Sequence, residues 1–187
     1  VEKLATLGPA FDRKSGKGTL TAGNSTPLTD GASAVLLCSE EWAKAHNLPV
    51  LAYFTFSATA AVDFVGSSSV KPEGLLMAPA YAVPKMLKQA GLSLQDFDFY
   101  EIHEAFAGQV LCTLKAWEDE TYCREKLGLK KALGSIDRSK LNVKGSSLAV
   151  GHPFAATGGR IVHTLAKIIS ENGKGRGLIS VCAAGGQ

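Results

Sequence analysis

The chain has 187 residues, 45% of them hydrophobic and 20% charged, and carries a net charge of +3. These are globular values that allow a substantial buried core and exclude a disordered chain. So small and dispersed a charge gives no footing for nucleic acid. The four cysteines, at 38, 112, 123 and 182, form no CxxC pair and no framework spacing; a reducing compartment fits them better than a disulfide scaffold. No apolar run is long enough to span a membrane, and no signal peptide is evident. Beginning at Val1 without Met and stopping at Gln187 in a glycine-rich turn, the chain reads as a piece of a longer polypeptide.

Residues 1–31 are rich in Gly, Ser, Thr and Asp and predict loop with one short strand. The apolar run 32–39 (ASAVLLCS) predicts a strand buried on both faces, 40–46 a brief helix, and 51–56, rich in aromatics, a second strand. A polar loop follows at 66–74. Residues 81–90 predict a helix with Pro84 in its first turn and Gly91 as its stop. Alternation over 97–102 predicts a strand running directly into a helix from Glu104 to about Glu118, with Phe106, Val110, Leu114 and Trp117 on one stripe. The charged stretch 119–140 reads as a surface insertion with a short helix. A strand over 141–150 is expected to end at Gly151-His152-Pro153. A helix over 158–171 turns Ile161, Leu165, Ile168 and Ile169 inward, and a last buried strand, 177–181, delivers Cys182. Strands alternating with helices predict an α/β fold, a sheet covered on both faces.

Three short stretches carry the chemistry. In Gly151-His152-Pro153 an imidazole stands just before a helix, where the dipole favours a neutral ring, suited to a base for a thiol or a donor to an oxyanion. Cys182 precedes Ala183-Ala184-Gly185-Gly186, whose small side chains let backbone N–H groups approach a ligand. That thiol can serve as nucleophile, as acid/base at carbon, or simply as a buried inert cysteine. His103-Glu104 lies where a strand becomes a helix. His103 can hold a water or polarise a thioester carbonyl, and Glu104 reads as a cap. A zinc site from His103, His152 and Cys182 lacks a short-spaced ligand pair. Cys38, Cys112, Cys123, His46 and His163 are expected to be structural or surface residues.

Taken in order, these motifs resemble the thiolases, most closely those of fatty-acid β-oxidation. The segments that carry the resemblance are 18–24 (GTLTAGN), 29–32 (TDGA), 75–79 (LLMAP), 103–106 (HEAF), 151–160 (GHPFAATGGR) and 182–186 (CAAGG). Histidine at 103, where biosynthetic thiolases carry asparagine, and the form of the 182–186 segment favour the degradative type. So does the charged insertion.

The resemblance implies a layered αβαβα fold with a mixed sheet covered by helices. Residues 1–46 would close an N-terminal domain and 47–187 form most of a C-terminal one. It implies thiolysis of 3-ketoacyl-CoA by CoA, with coenzyme A as substrate and no metal or organic cofactor. His152 would activate a nucleophilic cysteine lying upstream of Val1 and donate to the thioester oxygen. His103 would complete that oxyanion site through a water, Cys182 would exchange a proton with the α-carbon, and the Ala184 amide would bind the acyl-enzyme oxyanion. Ser57, Met77 and Phe154 are expected to line the substrate pocket. A homodimer, a hydratase/dehydrogenase partner subunit and a cytoplasmic location are implied as well. A ketoacyl-synthase-like condensing enzyme and a non-catalytic CoA-binding or dimerisation piece are the alternative readings.

Overall fold

The computed structural model describes residues 2–69 and 71–187. Val1 and Val70, within the predicted loops 1–31 and 66–74, lie outside the described residues. In chain order the elements are α1 (Glu2–Ala5), α2 (Glu40–Ala45), α3 (Ala78–Ala90), β1 (Phe99–Ile102), α4 (Ala107–Glu118), α5 (Glu120–Glu125), a 3-10 turn (Arg138–Lys140), α6 (Ser147–Val150), α7 (Thr157–Glu171) and β2 (Gly177–Ser180).

The sheet among the described residues is β1 beside β2, parallel and in register from Phe99↔Gly177 to Ile102↔Ser180. Successive side chains of a strand point to opposite faces. Tyr100 and Ile102, with Leu178 of β2, therefore join Val83, Leu87, Val110, Leu114 and Trp117 in the buried core. α7 lies against the same two strands, with Ile161, Leu165 and Ile168 buried as the periodicity predicts. Parallel pairing puts the C-terminal ends of both strands at one edge, so His103 and Cys182 emerge side by side. That edge is where ligand sites cluster in α/β sheets.

α3 starts three residues earlier than predicted, with Pro79 in the first turn and Pro84 in the helix interior. An interior proline leaves the carbonyl four residues back without its donor. That carbonyl is Ala80's, and the Trp117 indole N–H donates to it at 3.4 Å. Gly91 stops the helix at φ 66°, as expected. The stripe on α4 holds for Val110, Leu114 and Trp117, but Phe106 is the extended residue before the helix. Its backbone pairs with Ser25, which delays the helix to Ala107 and leaves Glu104 outside it.

Three predicted strands do not form. Runs 32–39 and 51–56 pair with no strand among the described residues and are largely exposed, Leu37 at 73% and Phe54 at 69%. Apolar periodicity signals burial, but a strand also needs a neighbouring ladder. At 141–150 a single bridge, Tyr100↔Leu141, is made before Asn142 turns away at φ 48°. The Asn142 side chain then accepts from Ile102 N–H (2.9 Å) and donates to Ile102 C=O (3.0 Å), taking the place of a continued strand. The stretch ends in the short helix α6.

Residues 119–140 are less superficial than their charge predicts. Cys123 and Ile136 are buried, and Leu127 and Leu133 pack on the core, because apolar residues recur among the charges.

Candidate active site

Two turns and one loop build the site. His103 follows β1, its N–H donating to Ser180 C=O at 2.9 Å. His152 follows Gly151, whose φ of 91° and packing against the Thr29 side chain, which any Cβ would meet at 2.5 Å, leave room for glycine only. The two imidazoles meet with ring centroids 4.3 Å apart. Residues 24–28 bridge the turns that carry them. On one side Thr26 N–H donates to Ala105 C=O (3.0 Å) and Ala107 N–H to Asn24 C=O (2.9 Å); on the other His152 N–H donates to Pro27 C=O (2.9 Å). The Thr26 hydroxyl reaches Ser147 C=O at 2.7 Å. The low-periodicity N-terminal stretch thus contributes structure to the site where composition predicted loop.

Around the rings the hydrogen bonds are specific. His152 Nδ1 lies 2.6 Å from Thr157 Oγ1, which donates to Pro153 C=O at 3.2 Å; a hydroxyl spent on that carbonyl can accept Nδ1–H and leave Nε2 as a base. His103 Nδ1 lies 2.9 Å from Ser147 Oγ, and Arg160 Nη2 donates to the same oxygen at 3.0 Å. Burial, the neighbouring His152 and Arg160 hold His103 down to about 4, so the ring is neutral at pH 7. Burial and then Arg160 also lower His152. Glu104 does act as a cap, though for another helix: its carboxylate accepts from Leu148 N–H of α6 (3.0 Å) and from Asn142 (2.7 Å).

Cys182 is buried, its thiol donating to Gln109 Oε1 at 3.6 Å. Burial pushes the thiol up to about 11, against smaller opposing effects of its own and the Ala105 backbone N–H groups. At neutral pH it is a protonated thiol, able to give a proton, rather than a resting thiolate. The turn beyond it closes between Ala183 and Gln187, with Ala184 exposed at its start and Gly185 and Gly186 at positive φ.

The proposed lining residues divide. Phe154 is 72% exposed, its ring 4.8 Å from His152. Met77 instead borders a shallow hollow with Leu111, Lys115 and Tyr122. Ser57 is exposed on the unpaired stretch, which returns to the site at Val62, where N–H donates to Gly186 C=O at 2.8 Å. Sequence reasoning assigned no role to Gln109, Ser147, Thr157 or Arg160. The signal available for two of them was polarity at Ser146-Ser147 inside a stretch expected to be an apolar strand, and an arginine in a predicted helix's first turn. Among the described residues no cluster of His, Cys, Asp or Glu is arranged to hold a metal.

One further group near Arg160 is unusual. Glu101 is 1% exposed, and neither carboxylate oxygen has a hydrogen-bond partner among the described residues. Burial raises it to about 7, with Arg160 opposing and Glu104 adding to the rise. A carboxyl raised from 4.5 on folding favours the folded state below its unfolded value and loses that advantage as pH climbs through 7. Glu101→Gln is therefore expected to match the wild type in stability near pH 4 and to exceed it by up to about 3 kcal/mol at pH 8. Urea unfolding at the two pH values checks this; a gap that does not widen with pH refutes it.

Comparison with known proteins decides the family. The C-terminal domain model of the thiolases matches residues 56–187, and their N-terminal domain model matches 1–41. The chain belongs to the thiolase family. It is 48% identical over 186 residues to the 3-ketoacyl-CoA thiolase of Shewanella woodyi, covering 100% of this chain and 41% of that protein. The human mitochondrial 3-ketoacyl-CoA thiolase superposes with a TM-score of 0.76 at 34% identity, over 99% of this chain and 40% of that one; a structure of the same protein in complex with CoA matches equally well. The dimeric peroxisomal thiolase of Saccharomyces cerevisiae gives a TM-score of 0.73 at 37% identity, over 99% and 39%. This thiolase chain thus spans about two fifths of the length of the relatives it matches, and its α/β fold is theirs.

Proposed function

We propose that this chain is the C-terminal part of a 3-ketoacyl-CoA thiolase, an acyltransferase converting 3-ketoacyl-CoA and CoA to acetyl-CoA and a shortened acyl-CoA. The observation that carries the reading is the pairing of His103 and His152, ring to ring at 4.3 Å, at the strand edge that also delivers Cys182.

Breaking a carbon–carbon bond next to a thioester leaves an enolate, which needs charge stabilisation and a proton in register. A cysteine thiolate outside this chain, deprotonated by His152, attacks the 3-keto carbon. The C2–C3 electron pair passes to the thioester as an enolate held by His152 and, through a water, by His103. The Cys182 thiol then protonates the α-carbon and releases acetyl-CoA. Its raised thiol fits a proton donor better than a nucleophile. Cys182 next takes the proton of the incoming CoA thiol, whose sulfur attacks the acyl-enzyme while its oxyanion lies at the Ala184 amide. Two thiols thereby divide the reaction into acyl transfer and thiolysis.

The reading carries further parts with it: a division near 46/47 into N- and C-terminal domains, Ser57, Met77 and Phe154 toward the acyl-CoA, no metal or organic cofactor, and a cytoplasmic homodimer able to bind a hydratase/dehydrogenase subunit. The two family-model matches support the division, and the dimeric yeast relative supports the dimer. The exposed apolar runs 32–39 and 51–56 support cover by further protein. Among the described residues no helix is long and apolar enough to cross a membrane.

The test is thiolysis of acetoacetyl-CoA and longer 3-ketoacyl-CoA. The full-length protein is expected to turn over, and residues 1–187 alone are expected not to. An inactive full-length protein removes the proposed reaction. Turnover by the isolated chain removes the external nucleophile.

A further inference from the structure

We propose that Ser147 and Arg160 are positioning residues that fix His103 as the tautomer with its proton on Nε2, so that this ring can only donate toward the reacting oxygen. The activity part of the test rests on the thiolase reading; the tautomer itself rests on the hydrogen bonds alone.

A guanidinium has donors and no acceptor, so at 3.0 Å Arg160 Nη2 must donate to Ser147 Oγ. Ser147 is fully buried, and its own hydroxyl proton needs an acceptor. The partner that remains in reach is His103 Nδ1 at 2.9 Å. Ser147 therefore donates, Nδ1 accepts, and the ring proton is confined to Nε2. The opposite arrangement, Nδ1–H donating to Ser147, strands the serine proton in the interior without an acceptor. A doubly protonated ring would strand it as well, and it would place a second positive charge beside Arg160.

The neighbouring ring is held the other way round when Thr157 donates to Pro153 C=O, since His152 then keeps a lone pair on Nε2. Two imidazoles 4.3 Å apart are thereby given different tasks by two hydroxyls, one from the first turn of α6 and one from the first turn of α7. Arg160, on α7, reaches across to α6 and sets the direction of the first hydroxyl. Its guanidinium is buried at Nε, which has no hydrogen-bond partner among the described residues, and a second Nη2 contact reaches Ser146 Oγ at 3.4 Å.

Neutron diffraction from deuterium-exchanged crystals of the full-length protein reads the ring directly. Deuterium on His103 Nε2 with bare Nδ1, and deuterium on Ser147 Oγ directed at that nitrogen, is the expected result. Deuterium on His103 Nδ1, alone or together with Nε2, overturns the proposal. This readout is independent of turnover, so it stands or falls separately from the thiolase reading.

Kinetics add the consequence. A wrong tautomer costs on the order of 10⁴ in rate in a serine protease triad. Ser147→Ala leaves a mixture rather than the wrong form, and a fall of about 10- to 100-fold in thiolysis is expected. Ser147→Thr, which keeps the hydroxyl, is expected to restore most of it. Wild-type thiolysis by a folded Ser147→Ala protein overturns the proposal, as does a folded Ser147→Thr protein no better than the alanine variant.

Discussion

Cys182→Ala in the full-length protein is expected to form an acyl-enzyme from a simple acyl-CoA and yet to lose carbon–carbon cleavage by about 10²–10⁴-fold, the range for a removed general acid/base. In the proposed mechanism the first step is an attack by the other thiol that expels CoA, a thiol acidic enough to leave as a thiolate without a proton from Cys182. The second needs a proton delivered to carbon, and the Cys182 thiol is buried, protonated and held by Gln109. His152→Ala is expected to impair both steps, since the proposed mechanism gives one imidazole both nucleophile activation and oxyanion binding. The contrast between the variants is the test. A purely structural Cys182 would weaken both half-reactions together through lost stability. Mass spectrometry of the acyl-enzyme, run beside a thiolysis assay, separates the outcomes. Normal cleavage by Cys182→Ala would falsify the mechanism.

The largest expected effect on stability is at Trp117. Its side chain is fully buried in the core between α3 and the sheet, and its indole N–H serves the Ala80 carbonyl that Pro84 leaves without a donor. Trp117→Ala is expected to cost about 3–5 kcal/mol for the lost burial and the cavity. The orphaned carbonyl adds to that cost. Trp117→Phe keeps much of the volume and drops only the donor, so a smaller loss of about 1–3 kcal/mol is expected. Urea midpoints at unchanged m-value measure both. A Trp117→Phe variant as stable as the wild type would show that the indole N–H contributes nothing.

Much of this site is legible in sequence because its chemistry sits where local signals are strong. Gly151 and Pro153 announce a sharp turn around His152, and the small residues after Cys182 announce a close backbone approach. The order of His103, His152 and Cys182 carries the family. The helices α4 and α7 follow from their apolar periodicity, which a helix satisfies largely within itself. Strands are different, since their hydrogen bonds come from elsewhere in space. Runs 32–39 and 51–56 have the composition of strands and find no ladder among the described residues, while 141–150 yields its place to the Asn142 side chain. The interior position of Pro84 was equally hidden, because its tolerance depends on a tryptophan 33 residues further on. Ser147, Thr157 and Arg160 were missed for a related reason. Nothing in their spacing says which histidine nitrogen each hydroxyl will meet, and that pairing appears only when α6, α7 and β1 converge.

Residues 24–28 give the site its gauge. One short length of backbone is fastened to the His103 turn at Ala105 and Ala107 and to the His152 turn at its own amide, and so helps to hold the two imidazoles at their distance. That length belongs to the part of the chain matched by the N-terminal thiolase model, while both histidines belong to the part matched by the C-terminal one. The spacing of the two imidazoles thus draws on backbone from the one matched part and on side chains from the other. In such an arrangement neither part can vary the geometry by itself, and a change in this stretch, though it brings no ring or charge of its own, acts on both imidazoles at once.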